Sequence, residues 1–238
     1  AADWTTLFLA LELVSIPTYV LLGMAGTTQT NREATLKYFS LSAFSSAIFL
    51  FGVSYLYGIT GTTAIDAASS SLHTNSTPLT AIAWTMILSG LAFRVTAFPF
   101  HFYAPDVFAG TTTTMAAALS YFPKVAGFIA ILRIVNQPPE GGIGTDMMIA
   151  HSLLVLGSVT MTVGNILAFV QTNIRRLLAY SSVAHTGYLL LGLAGTFTQG
   201  LPPLAIFFYL FAYAAMTLGV FAAIEVMESN HSRLQELD

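Results

Sequence analysis

The sequence predicts an all-α, polytopic membrane protein, a transmembrane bundle of about seven spans. Three observations predict it. Of 238 residues, 55% are apolar and only 8% charged, where a soluble domain carries about a quarter charged residues. Seven apolar runs are long enough to cross a hydrocarbon core of roughly 30 Å. Those runs are continuous, not alternating apolar with polar, which excludes the strands of a membrane barrel. The same apolar content excludes intrinsic disorder. A net charge of −3 offers no grip on nucleic acid. The chain has no cysteine, so it holds no disulfide, thiolate zinc site or cysteine-ligated cluster.

The first run, 4–25, follows Ala1-Ala2-Asp3 directly. It has no basic n-region, no initiator Met before it, and Glu12 inside it, so it reads as a span near the start of an internal fragment and not as a signal peptide. The remaining runs are 36–58, 79–98, 112–135, 147–170, 177–195 and 201–227. Breaks at 26–35, 59–78, 99–111, 136–146, 171–176 and 196–200 are rich in Gly, Pro, Asn, Thr or Ser, which punctuate helices. Alternating spans put Arg32, Lys37, Arg175, Arg176 and Arg233 on one side and Arg133 on the other. Lys and Arg resist translocation, so the expected orientation has the N-terminus of the fragment outside and its C-terminus cytoplasmic.

At an offset of 169 the first run aligns with the sixth and the second with the seventh. Leu21, Leu22, Gly23, Ala25, Gly26 and Thr27 meet Leu190, Leu191, Gly192, Ala194, Gly195 and Thr196; Tyr19 meets Tyr188; Phe39, Leu41 and Ala43 meet Phe208, Leu210 and Ala212. Chance matching in apolar sequence is the competing explanation. A true repeat five spans apart has opposite orientation in its two copies, the inverted topology of transporters.

An ionisable side chain inside an apolar span is a functional candidate by default, because a charge at the bilayer centre costs on the order of 3 kcal/mol. Glu12 sits too deep for its short side chain to reach water; it is a proton carrier or a partnered structural carboxylate. Lys124 lies near the middle of its run, just after Pro123, which is expected to loosen the helix. Snorkelling from there is incomplete, and removal from water disfavours the charged form of a lysine. Arg94, expected to be partly hydrated, is a natural partner for Glu12 but stays protonated. His185 is either a relay at physiological pH or a hydrogen-bonded structural residue. The stretch Pro99-Phe100-His101-Phe102-Tyr103-Ala104-Pro105-Asp106 is apolar yet cannot be regular helix through two prolines, so it is a broken helix or a re-entrant loop. No phosphate loop, metal-ligand spacing or nucleophile triad is present, and His73, His101, His151, His185 and His231 are scattered. No cofactor, metal site or catalytic residue is expected in this chain.

Four stretches carry a resemblance: Gly90 to Arg94; Pro99 to Asp106; Pro123-Lys124-Val125-Ala126-Gly127-Phe128; and Gln171 through Arg175, Arg176 and Ser182 to His185. With Lys37-Tyr38-Phe39 and the Ser-rich residues 40–46, they resemble the antiporter-like membrane subunits of the proton-pumping NADH–quinone oxidoreductase, respiratory complex I, and among these the N type most. The wider family includes the L and M subunits and Mrp cation/proton antiporters. The resemblance implies two inverted five-helix units, each with a broken helix, and a midplane chain of charged residues. Residues 1–135 would be most of the first unit and 147–238 an incomplete second one, ending before its broken helix. Glu12 takes the place of the family glutamate, Lys124 that of the central lysine and His185 that of the motif histidine. Arg94 and Arg175 stand where the family usually has lysine.

The function so implied is a proton-translocating subunit coupled to distant quinone reduction, with Glu12, Arg94, Lys124 and His185 on the pathway and Lys37, His101 and Arg175 as accessory positions. The implied partners are other membrane subunits of complex I and the lipid of a bacterial inner membrane, with quinone and NADH bound by other subunits. Two alternatives stay open: a scaffold whose charges lock helix packing, and a cation/proton antiporter subunit.

Overall fold

The computed structural model describes residues 1–68, 78–135, 143–199 and 203–235. Much of the expected breaks at 59–78 and 136–146, the end of that at 196–200, and His73 lie outside these residues. Asp3 accepts the Thr6 amide at 2.6 Å and starts α1 (Trp4–Met24). That amide, with the Thr6 hydroxyl, holds the Asp3 carboxyl below its ordinary value. At the far end, Asn31 donates to the carbonyls of Leu22 and Gly26, satisfying groups that a helix terminus leaves open. Thr28 caps α2 (Gln29–Thr60). This helix begins seven residues before the apolar run, because hydropathy marks where a chain enters hydrocarbon and not where its hydrogen bonding starts.

The third run is not one helix. Helix α3 (Pro78–Arg94) stops four residues short of the run's end; a 3₁₀ turn at Phe100–Tyr103 and a short helix α4 (Ala104–Gly110) follow. The expected break is therefore present but begins earlier than Pro99. Pro105 breaks nothing, since it stands in the first turn of α4, where its missing N–H costs no hydrogen bond. Four long helices complete the bundle: α5 (Thr113–Val135), α6 (Ile143–Phe169), α7 (Ile174–Gln199) and α8 (Leu204–Gln235). Pro123 does not interrupt α5. Among the described residues, six helices are long and apolar enough to cross a membrane, and α3 is a shorter apolar one.

Two apolar clusters hold the bundle together, one near each end. The first joins Trp4 and Leu7 of α1 to Phe49 and Leu56 of α2, Trp84 of α3, Ile131 of α5, Leu190 and Leu193 of α7 and Ile206 of α8. The second joins Leu22 of α1 to Ala34 and Tyr38 of α2, Val107 and Phe108 of α4, Ala116 of α5, Ala179 of α7 and Phe221 of α8. The start of α1 and the end of α7 thus lie at one end of the bundle, as do the end of α2 and the start of α8. Each member of these two pairs runs opposite to the other, as an inverted repeat requires. Between the clusters lies a layer of buried hydroxyls and charges: Ser15, Ser45, Arg94, Thr96, Ser120, Lys124, Thr160, Ser182 and Thr186.

Helices α6 and α7 pack with almost no side chain between them. A Cβ on Gly164 would stand 2.6 Å from the Ala184 nitrogen, and one on Gly187 2.5 Å from the Met161 nitrogen. Small residues that let backbones approach are the usual means of helix association in lipid. Gly164→Val is expected to destabilise the bundle by about 1–3 kcal/mol or more, as overpacking does. Gly192→Ala, which meets nothing within 4 Å, is expected to be neutral. Thermal unfolding of the two variants in detergent checks the contrast.

Candidate functional site

The break in the third run originates one helical turn before its proline. In a continuing helix the Val95 carbonyl would accept from the amide of residue 99, but Pro99 has no N–H, and its ring crowds that carbonyl. The chain departs at once: the Ala97 amide reaches back to Ala92 at 2.8 Å, and Thr96 takes φ +59°, a region that β-branched residues rarely occupy. Neighbouring helices supply the lost bonds. Thr186 of α7 donates to the Val95 carbonyl at 2.6 Å, and the Phe98 amide donates to Thr160 of α6 at 3.1 Å.

The break leaves Arg94 at the very end of α3, only 5% exposed and pointed at α1. Its Nη2 donates to Glu12 Oε1 at 2.6 Å and to Ser46 Oγ at 3.2 Å. Its Nη1 donates to the Leu11 carbonyl at 2.9 Å and also bonds Ser15 Oγ. Ser46 Oγ donates to the same Glu12 oxygen at 2.5 Å. The expected partial hydration of Arg94 is thus corrected: α1 and α2 close over it, and protein acceptors take both of its terminal nitrogens.

Lys124 sits in the middle of α5 and is 1% exposed. Its Nζ donates to the Ser182 carbonyl at 2.6 Å, to Ser182 Oγ at 2.7 Å and to Tyr213 Oη at 3.3 Å. An ammonium has three donors, so these partners satisfy it. Among the described residues, no Asp or Glu lies within ion-pair distance of Lys124. Tyr213 Oη also donates to Ser182 Oγ at 2.8 Å, and its ring lies 4.6 Å from Nζ. His185 packs on that ring at 5.3 Å between centroids, and its Nδ1 is hydrogen-bonded to Tyr209 Oη at 2.7 Å.

The structure therefore brings Glu12 to Arg94, and Lys124 to His185 through Tyr213. The accessory positions lie elsewhere. Lys37 pairs with Asp106 and Glu33, both at 2.7 Å, and Arg176 reaches the other Asp106 oxygen at 3.1 Å. These groups line a polar cavity of about 170 Å³. Arg175 pairs with Glu228 at 2.6 Å and donates to the Thr111 carbonyl and Thr113 hydroxyl, both at 2.8 Å. His101 is buried beside Phe98, and its Nδ1 has no hydrogen-bond partner among the described residues. Among the same residues, no three His, Asp or Glu side chains gather as a metal site requires.

Reading for charges alone missed Ser15, Ser46, Ser182, Thr186, Tyr209 and Tyr213. A signal was available: Ser182 and Thr186, and Tyr209 and Tyr213, are each four apart, so each pair shares one helix face. Replacing one partner of a buried ion pair leaves the other charge uncompensated, at about 3–5 kcal/mol. Glu12 retains some exposure, 19% of its side chain, so Glu12→Gln is expected to cost about 2–3 kcal/mol. Lys37→Met, in an exposed pair, is expected to cost under about 1 kcal/mol. Chemical denaturation of each variant measures the difference.

Comparison with known proteins gives the family and the fold. The family described as NADH:quinone oxidoreductase/Mrp antiporter, transmembrane, matches residues 1–238. NADH-quinone oxidoreductase subunit N of Beutenbergia cavernae is 41% identical over 230 residues, 95% of this chain and 42% of that protein. A chain of respiratory complex I from Thermus thermophilus superposes with TM-score 0.75 at 36% identity, over 91% of this chain and 45% of the other. A chain of the Mrp complex from Dietzia superposes with TM-score 0.79 at 26% identity, over 94% and 41%. The chain spans less than half the length of the curated relatives it matches. From one end to the other, the chain belongs to the NADH:quinone oxidoreductase/Mrp antiporter transmembrane family, as an integral membrane protein.

Proposed function

We propose that this chain is part of a proton-translocating subunit of NADH–quinone oxidoreductase, moving protons through the polar layer between its two apolar clusters while quinone is reduced elsewhere. In this reading Lys124 is the group that changes charge, His185 relays through Tyr209 or Tyr213, and Glu12 with Arg94 forms a fixed charged element. Lys37, His101 and Arg175 are accessory, and the cavity beside Lys37, Asp106 and Arg176 exchanges protons with the cytoplasmic side of a bacterial inner membrane. The fragment's N-terminus faces outside and its C-terminus the cytoplasm. Residues 1–135 belong to a first inverted unit and 147–238 to a second. The partners are other membrane subunits of complex I and the surrounding lipid, with NADH and quinone bound by other subunits; this chain holds no redox centre or cofactor.

The observation that carries the reading is the environment of Lys124. Its acceptors are a carbonyl and two hydroxyls, all neutral, so release of a proton leaves no carboxylate unpaired. Hydroxyls both donate and accept, and Tyr213 serves either form of the amine by rotating one bond. Arg94 differs in kind, since a guanidinium stays protonated in proteins. The bonds of the Arg94 terminal nitrogens to Glu12, Ser15, Ser46 and Leu11 favour a second reading for that pair alone, a lock that holds α3 against α1.

In the full-length subunit, assembled in its complex and reconstituted in vesicles, Lys124→Ala is expected to slow proton transfer through this subunit on the order of 100-fold, the scale of a lost proton-transfer group. The proton-to-electron ratio falls while NADH oxidation persists. Arg94→Lys, which keeps a cation and a donor, is expected to retain pumping. A wild-type ratio in an assembled Lys124→Ala complex would contradict the reading and leave the scaffold.

A further inference from the structure

Thr186 stands between the two charged sites and touches the backbone of both. Its hydroxyl carries one hydrogen and has two carbonyls in reach: Val95 on the broken helix at 2.6 Å and Ser182, one turn earlier on α7, at 3.2 Å. Thr186 is fully buried, so no bulk water substitutes for either bond. The Val95 carbonyl receives no helical amide because Pro99 has none to give; besides Thr186 it takes the hydroxyl of its own neighbour Thr96 at 2.6 Å, and the two threonine hydroxyls lie 3.4 Å apart. The Ser182 carbonyl already takes the helical amide of residue 186 and, at 2.6 Å, the Lys124 ammonium.

A carbonyl oxygen has two lone pairs. While Lys124 holds the Ser182 carbonyl, both are occupied and the Thr186 hydrogen belongs to Val95. When Lys124 leaves that carbonyl, a place opens, and a threonine in a helix readily turns its hydroxyl to the carbonyl four residues back. Val95 then loses its cross-helix donor, one residue from Arg94. We propose that Thr186 is a positioning residue that couples the loading of Lys124 to the broken helix carrying Arg94, by giving its single hydroxyl hydrogen to one carbonyl or the other. The proposal rests on the reading of Lys124 as the proton-carrying group.

The test uses the assembled full-length complex in vesicles, with proton uptake and NADH oxidation measured together. Thr186→Val keeps the shape and removes the hydroxyl; Thr186→Ala removes it with less bulk; Thr186→Ser restores it. The Val and Ala variants are expected to oxidise NADH normally while proton transfer slows roughly three- to tenfold, the worth of about one net hydrogen bond, and the Ser variant to recover. Unchanged proton transfer in either assembled variant lacking the hydroxyl, or a Ser variant no better than Val, overturns the proposal. Failure of both Val and Ala to assemble where Ser assembles would mark a folding requirement and overturns it equally. Lys124→Ala run in parallel separates the two claims: if it pumps normally, the reading of Lys124 fails; if it is impaired while Thr186→Val is not, only the coupling fails.

Discussion

Pro99 has no amide hydrogen to give to Val95, and the middle of the bundle is arranged around that missing bond. A buried backbone carbonyl without a donor is costly, and within hydrocarbon depth only protein or trapped water supplies one. Here Thr186 of α7 donates to the Val95 carbonyl, and Thr160 of α6 accepts from the Phe98 amide. The close approach of α6 to α7, where Gly187 meets Met161, brings both threonines, each one residue away in the chain, to the break. Ending α3 at Arg94 then frees a guanidinium to turn toward α1, where Glu12 and Ser15 meet it. One covalent feature thus sets the ion pair, the cross-helix hydroxyls and the position of both relative to Lys124.

The two charged sites of this layer differ in the kind of work they can do. At Arg94 a permanent cation meets a carboxylate, and the pair stands or falls together. At Lys124 a titratable amine meets a carbonyl, a serine and a tyrosine, none of which fixes its charge. In the proposed reading the first site is a fixed structural element and the exchange of protons falls to the second.

Long apolar runs made the helices legible, and the cost of intramembrane charge singled out Glu12, Arg94, Lys124 and His185. The location of the break was legible only approximately. Pro99 is visible in the sequence, but a proline acts on the carbonyl four residues earlier, so the helix ends at Arg94 and the arginine becomes terminal instead of sitting inside a span. The start of α2 was hidden for another reason: Arg32 and Glu33 are polar, yet helical hydrogen bonding continues through them outside the apolar run. The partners of Lys124 were hidden because hydroxyls cost little in an apolar run and do not announce which helix they face. Only packing brings Ser182, Tyr213 and His185 to one point. The opposed directions of α1 and α7 and of α2 and α8 follow from their lying five alternating spans apart, so they do not separate a true 169-residue repeat from chance matching of Leu, Ala and Gly.

The central claim is that Lys124 exchanges protons within a polar layer instead of merely locking helices together. Exchange needs water or mobile hydroxyls continuous with the amine, whereas a lock is dry on every side. An experimental density map of the assembled complex, fine enough to resolve ordered water, tests this most directly. The account predicts waters or alternate hydroxyl positions joining Lys124 and Tyr213 to His185 and onward toward one aqueous side. A Lys124 enclosed by apolar side chains beyond Ser182 and Tyr213, with no water in contact with either residue or with His185, would contradict it.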